Sequence, residues 1–354
     1  MQVAVKYGAL TSAPLVGADG HAATESGQAT MARRVLELYP GSVVVGQESA
    51  HLPEFEVVTL SGIDPENTLV VNLDVLDSVG VFQRLHRGGA EPKIMNFQWI
   101  NPSTFHHPVN FAAMGLAYSF FPTFCSGERT AAEVREVVSR WAIPSLANRA
   151  RIAYAELGID ATRPVHHSDL PEPVVLYPAI TMDSRKQPEE FYRIVSSVAK
   201  RTPIRVVARL APSALTSSAA MNLATERWSS VSPLRASADD YWTELSHTTA
   251  FVATATEEAY GLVYVEAMRA GAIGILPNRP WALRLVPSGY PYLYNSAAEA
   301  EDMLYRVVTN PQEASDKVDE AVGGGHFTSW IREHHDRATF DDALKAKIRE
   351  WFGV

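Results

Sequence analysis

The chain has 354 residues, of which 46% are hydrophobic and 20% charged, with a formal net charge of −9. That length exceeds one typical core, so two domains are expected, and the composition excludes long disorder. The acidic balance excludes a uniformly basic nucleic-acid binder while allowing a local basic cleft, and no stretch reaches the apolar length of a membrane span.

Short apolar runs alternate with helical patterns along the chain. Strands are predicted at residues 3–5, 43–45, 57–60, 69–73, 94–99 and 117–121, with helices at 29–38, 76–86, 131–141 and 148–157. Continuous apolar strands separated by helices imply an α/β fold with a parallel sheet covered on both faces. Residues 161–173 are polar and proline-rich and read as a linker. The alternation then restarts. Strands are predicted at 174–177, 204–208, 250–253 and 273–276, helices at 188–200, 239–245, 262–270 and 297–309, and a helical end over 340–352. The implied architecture is two Rossmann-like, doubly wound domains over residues 1–160 and 174–335, with a C-terminal helix over 336–354 for which packing back on the first domain is one arrangement. Ligands in such sheets bind beyond the carboxyl ends of the strands.

Cys125 is the single cysteine, so no intrachain disulfide can form, and a reducing, cytoplasmic setting is expected. It follows the apolar run 119–124 and reads as a buried, inert thiol. The opening residues 1–6 lack the charged leader of a secretory signal.

The most informative segment is Ala255-Thr256-Glu257-Glu258-Ala259-Tyr260-Gly261-Leu262-Val263-Tyr264-Val265-Glu266-Ala267-Met268-Arg269-Ala270-Gly271. Glu258 precedes a predicted helix start and Glu266 lies inside that helix, with Gly261 and Leu262 between them. Free backbone N–H groups and the positive dipole end of a helix start suit a phosphate. The segment resembles the Glu-x7-Glu signature of retaining GT-B glycosyltransferases of the family 4 type, matching at the Gly-Leu, Glu-Ala-Met and final Gly offsets. The resemblance implies a nucleotide-sugar domain in the second half and an acceptor domain in the first. Glu258 then contacts the donor sugar and Glu266 the nucleotide ribose. It implies front-face transfer, with the leaving phosphate helping to deprotonate the acceptor.

Tyr177 to Glu189 is similar to the family's second motif, in which an Arg after the strand and a Lys further on grip the diphosphate. Lys186 matches the Lys, whereas Ile180 stands at the Arg position. Arg185 and Arg209 are the two candidates for the missing charge. Lys186 and Glu258 both follow strands, so they are expected to converge on one cleft.

In the first half, Gly17-Ala18-Asp19-Gly20-His21 precedes the helix at 29–38. The family uses such a glycine-bearing loop near the diphosphate, which makes Gly17 and Gly20 candidates; a connector capped at Ser26 is an equal reading. His106 and His107 follow the strand at 94–99 and are candidates for acceptor contact or base. No His pair has the spacing of a zinc site, and the resemblance implies no metal or other cofactor beyond the nucleotide-sugar substrate.

The segments Leu276-Pro277-Asn278-Arg279-Pro280-Trp281 and Tyr290-Pro291-Tyr292-Leu293-Tyr294 are similar to the tRNA-queuosine mannosyltransferase branch, near which stand phage enzymes that glycosylate DNA bases. That resemblance points to a hydroxylated base of DNA or RNA as acceptor. Lipid, glycan and small-molecule acceptors stay open, as do a sugar-nucleotide epimerase or phosphorylase on the same fold and a non-enzymatic bilobal binder.

Overall fold

A computed structural model describes residues 1–6, 27–163, 165–168, 170–234 and 237–353. The chain divides into two compact units: Met1–Glu156 with Thr339–Val354, and Leu157–Ala338. Gly17 and Gly20 lie outside the described residues.

Unit 1 runs β1 (Gln2–Lys6), α1 (Gly27–Leu38), β2 (Val43–Gly46), β3 (Ala50–His51), β4 (Glu56–Thr59), β5 (Thr68–Asn72), α2 (Ser78–Leu85), β6 (Lys93–Gln98), α3 (Pro108–Phe120), β7 (Thr123–Cys125), α4 (Glu128–Trp141), α5 (Pro144–Ala147) and β8 (Ile152–Tyr154). Its sheet order is β3-β4-β2-β1-β5-β6-β7-β8, parallel except for β3 against β4. Valine-rich strands buried on both faces are what a helix-covered parallel sheet demands. Ala4, Val43, Val45, Val70 and Ile94 pack with Val81 and Leu85 of α2 on one face. Met114, Tyr118, Val134 and Val138 of α3 and α4 pack with Cys125 in a second cluster. The strand order reverses between β1 and β5. There Lys6, wholly buried, pairs with Asp77 at 2.6 Å.

Unit 2 runs β9 (Val174–Tyr177), α6 (Pro188–Ala199), β10 (Arg205–Leu210), α7 (Pro212–Leu215), α8 (Ser218–Ala224), β11 (Ser229–Pro233), α9 (Ala238–Ser246), β12 (Ala250–Val252), α10 (Leu262–Arg269), β13 (Ile273–Pro277), α11 (Pro280–Leu283), β14 (Leu293–Tyr294), α12 (Ala297–Thr309), α13 (Pro311–Ala321) and α14 (Phe327–His334). Its six strands are all parallel in the order β11-β10-β9-β12-β13-β14. This is the doubly wound order, with its switch point between β9 and β12.

Helix α15 (Arg337–Phe352) begins in unit 2 and continues into unit 1. Phe340 sits edge-on to Phe124 at 5.4 Å and beside Phe97 at 5.8 Å, under the Arg34 guanidinium, which also bonds Asp341 at 3.0 Å. Where the chain enters and leaves unit 2, Ile159 and Asp336 form a parallel bridge. The Ile159 N–H donates to the His335 carbonyl at 2.7 Å, and the Arg337 N–H donates to the Ile159 carbonyl at 2.8 Å.

Two expectations are corrected. Residues 117–121 are not a strand: they form the end of α3 and its C-cap. A helix stretch with no charged residue carries the same apolar run as a strand, and over so short a run periodicity cannot separate the two. The strand comes after Pro122, at Thr123–Cys125, where burial pushes the Cys125 thiol well up. Residues 148–157 are not a helix either. Ile152–Tyr154 form the edge strand β8, pairing with β7 through Thr123 opposite Ile152. The unpaired edge of β7 offers hydrogen bonds along its length, and that tertiary partner overrides helix propensity.

Candidate functional site

The loops after β9 and β12 flank the unit 2 switch point, and they carry Lys186 and Glu258. They are stitched together by hydrogen bonds to the backbone of the first loop. The Thr254 hydroxyl donates to the Lys186 carbonyl at 2.7 Å, and the Thr256 N–H donates to the Arg185 carbonyl at 2.9 Å. Inside the first loop, the N–H of Lys186 donates to the Asp183 carbonyl at 3.0 Å. Gln187 then takes a left-handed φ of 48°, turning the chain into α6 at Pro188.

The result is a direct ion pair: the Lys186 ammonium donates to Glu258, both side chains half-buried. The Tyr264 hydroxyl donates to the same carboxylate oxygen at 2.7 Å. The Tyr264 ring is fixed by stacking on Phe251 at 5.7 Å and on Trp281 at 5.4 Å. A charge-assisted bond from each side sets the direction of the Glu258 carboxylate.

Gly261 is the N-cap of α10, with φ 91° and ψ 49°. A Cβ there would stand 2.6 Å from Cδ2 of Tyr264, so only glycine both takes the left-handed turn and lets that ring lie close. Tyr264 and Val265 donate their N–H groups to the Gly261 carbonyl at 3.1 and 3.3 Å. The N–H groups of Leu262 and Val263, ahead of them, have no partner within the helix. Their dipoles and that of the helix give this turn positive character.

Further into α10, Glu266 accepts a hydrogen bond from Tyr241 of α9 at 2.6 Å. Burial lifts its carboxyl to about 7, and the Tyr241 hydrogen bond offsets part of that rise. Arg209 is buried and paired with Glu244, and its guanidinium lies 5.8 Å from the Tyr241 ring centre. Arg185 is largely exposed and bonds Asp183 at 3.3 Å. Ile180, at the position of the family Arg, accepts the Ala211 N–H at its carbonyl at 2.8 Å. His106 and His107 are exposed in unit 1, in the turn between β6 and α3, where His107 precedes the helix-starting Pro108.

Two doubly wound units in one chain define a recognisable architecture. The chain superposes on a trehalose-6-phosphate synthase, OtsA, with a TM-score of 0.71 at 10% identity over 99% of both chains. It matches a sucrose-phosphate synthase from Thermosynechococcus elongatus with a TM-score of 0.69 at 12% identity over 100% of both. An α,α-trehalose-phosphate synthase (UDP-forming) from Burkholderia vietnamiensis gives 0.66 at 10% identity, over 98% of this chain and 97% of that one. The chain has the GT-B fold. No family model matches the sequence, and no curated protein sequence is detectably similar.

Lys186, Glu258, Gly261 and Glu266 are candidates from the sequence, and the side chains that hold them are not. Tyr264 was within reach, three residues after the glycine on the same helix face as the turn. Tyr241, 25 positions from Glu266, and His335, 75 positions from its partner Tyr260, carry no local signal. Arg279 also went unread as a support: its guanidinium donates to the Thr256 carbonyl at 3.2 Å, bracing the loop that carries Glu258. A cavity of about 530 Å³ opens at the ends of β12, β13 and β14, lined by Gln187, Thr254, Arg279 and Tyr294; neither Glu258 nor Glu266 lines it. Among the described residues, no group of three His, Cys, Asp or Glu side chains is arranged for a metal ion, and no helix is long and apolar enough to cross a membrane.

Proposed function

We propose that the protein is a retaining glycosyltransferase that moves a sugar from a nucleotide-diphosphate sugar to an acceptor hydroxyl. The observation that carries this reading is the Lys186–Glu258 pair beside the glycine-capped start of α10, at the switch point of the unit 2 sheet. A cation, unpaired N–H groups and an oriented carboxylate stand within one pair of loops. That set suits a diphosphate joined to a sugar.

In this reading the diphosphate rests on the Leu262 and Val263 amides and draws Lys186 away from Glu258. Glu258, still held by Tyr264, is released to accept from the donor sugar's hydroxyls, and Glu266 accepts from the ribose. The bond between the sugar's anomeric carbon and the phosphate oxygen breaks, its electron pair leaving with the diphosphate. The acceptor oxygen bonds that carbon on the same face, and its proton passes to the departing phosphate oxygen. Once Lys186 has turned from Glu258 to the diphosphate, it and the helix amides face the oxygen where negative charge develops. Retention of configuration rests on the Glu-x7-Glu resemblance.

The missing Arg at Ile180 is answered by neither candidate in full. Arg209 pairs with Glu244 and Arg185 with Asp183, just as Lys186 pairs with Glu258, so each cation would have to leave a carboxylate to meet the diphosphate. For the acceptor, a hydroxylated base of DNA or RNA draws its support from the resemblance around Arg279 and Tyr290–Tyr294. Those residues already have internal tasks: Tyr290 and Tyr294 donate to the Gly274 and Ala253 carbonyls, as Arg279 does to Thr256. Glycan, lipid and small-molecule acceptors therefore stand level with it.

The test is incubation with UDP-, GDP- and ADP-hexoses, following melting temperature and product together. A transferase binds one donor selectively and slowly releases its nucleoside diphosphate without acceptor. Selective stabilisation without release would mark a binding protein, and conversion of the sugar without release an epimerase. With the donor in hand, mass shifts on hydroxymethylated DNA, tRNA and glycans identify the acceptor.

A further inference from the structure

We propose that His335 is a positioning residue for the loop that carries Glu258 and Gly261, acting through Tyr260. This rests on reading that loop as the donor-sugar site, and its test separates the two.

Tyr260 lies between Glu258 and the helix cap at Gly261, and its side chain is buried. The Tyr260 hydroxyl bonds Nδ1 of His335 at 2.8 Å. The other ring nitrogen, Nε2, lies 3.2 Å from the Leu285 carbonyl. A carbonyl only accepts, so Nε2 carries the proton, and in the neutral ring Nδ1 accepts from Tyr260. Burial holds the ring neutral, with its pKa pushed down to about 4. The tautomer is thereby fixed, and with it the direction in which the Tyr260 ring is pulled.

Leu285 closes the circuit. Its carbonyl orients His335, while a Cβ added at Gly261 would meet its side chain at 3.4 Å. The ring is also fixed from behind, since Trp330 meets it edge-on at 5.8 Å. Its backbone is fixed too, because the His335 carbonyl accepts the Ile159 N–H at 2.7 Å. Gly158 has φ 59°, and a Cβ there would stand 2.7 Å from the Asp336 carbonyl, so the two crossing segments are in contact with no slack. His335 thus joins the paired chain crossings to the sugar loop by one side-chain bond. Neither Lys186 nor Tyr264 supplies that link, since both hold Glu258 from the sheet side of the loop and from α10.

The experiment compares His335→Leu, His335→Gln, Tyr260→Phe and the His335→Leu/Tyr260→Phe double variant. Backbone amide exchange is read at residues 256–261 and in β9 and β12. Initial rates of nucleoside diphosphate release from UDP-glucose are read in parallel. Exchange at 256–261 should quicken about tenfold in His335→Leu and in Tyr260→Phe, the scale of one lost buried hydrogen bond. It should quicken no further in the double variant, because both changes remove the same bond. His335→Gln keeps a donor and an acceptor and should restore most of the protection. On the activity side, kcat should fall about tenfold with KM within about threefold, as for a lost alignment rather than lost binding. Unchanged exchange at 256–261, equal quickening in β9 and β12, or multiplying effects in the double variant would each overturn the proposal. If exchange behaves as expected while the wild-type protein releases nothing from any nucleotide sugar, the loop coupling stands and the glycosyltransferase reading falls.

Discussion

The Lys186 ammonium is paired with Glu258, and under the proposed function it changes that partner for a phosphate. Lys186→Ala should weaken nucleoside diphosphate binding about tenfold to a hundredfold, the scale of a charge-assisted hydrogen bond, as titration calorimetry would read it. Glu258→Gln keeps the side chain's size but loses the charge. It should lower kcat for donor breakdown by about a hundredfold while nucleoside diphosphate affinity stays within a few-fold. Equal losses of affinity in both variants would mean that the two groups serve the nucleotide alone. Gly261→Ala forces a Cβ against Tyr264 in a left-handed turn and should cost about 1–3 kcal/mol in denaturant unfolding. Glu258 and Gly261 stand out in the sequence because a helix cap and its flanking residues are local, whereas Lys186 lies 72 positions from Glu258 and stands out only as a residue that follows a strand. The partners that orient the site do not stand out, because folding alone brings Tyr241 and His335 to it.

At the scale of elements, α9 and α10 meet through Tyr241 and Glu266, and the pH response of the site belongs to that contact. Glu266 is raised from its ordinary range to about 7 in the folded protein. The stability it contributes is full below about pH 4.5 and is lost as pH rises through about 7. Under the proposed function Glu266 meets the ribose, and since an ionised carboxylate is the better acceptor for its hydroxyls, nucleoside diphosphate affinity should strengthen as pH passes through about 7. Tyr241→Phe removes the donor that favours the ionised form and should shift that midpoint upward. A Kd series across pH 6 to 9 checks it, and an unmoved midpoint would sever Tyr241 from the site's charge. The same scale explains what the sequence concealed. Strands β1, β5, β9 and β12 announce themselves as short apolar runs bounded by polar turns. Helix α3 hides as a strand because it carries no charge, and β11 (Ser229–Pro233) escapes notice because serine fills an edge position where apolar side chains are not required.

For the whole molecule, the doubly wound repetition was readable from alternation alone, since two separate runs of strand and helix need two sheets. The strand order was not, because it depends on pairings that no single segment encodes. Acid should act through His335. Its pKa is lowered to about 4, so its contribution to stability is complete above about pH 6.5 and is lost as pH falls through about 4. The loss amounts to about 3 kcal/mol at most, the linkage value of the shift. Urea unfolding at pH 7 and pH 4.5 should therefore differ less in His335→Gln than in wild type, and an identical difference would place the acid response elsewhere.

The segment Thr339–Val354 belongs to the unit that begins the chain, and Phe340 fills a hole against Phe97 and Phe124. During synthesis the ribosome delivers all of Leu157–Ala338 before that plug emerges. The first-made lobe must therefore wait, its aromatic pocket uncapped, while the second lobe folds ahead of it. Nascent chains stalled before Phe340 should be cut by protease in the early lobe and resist in the later one.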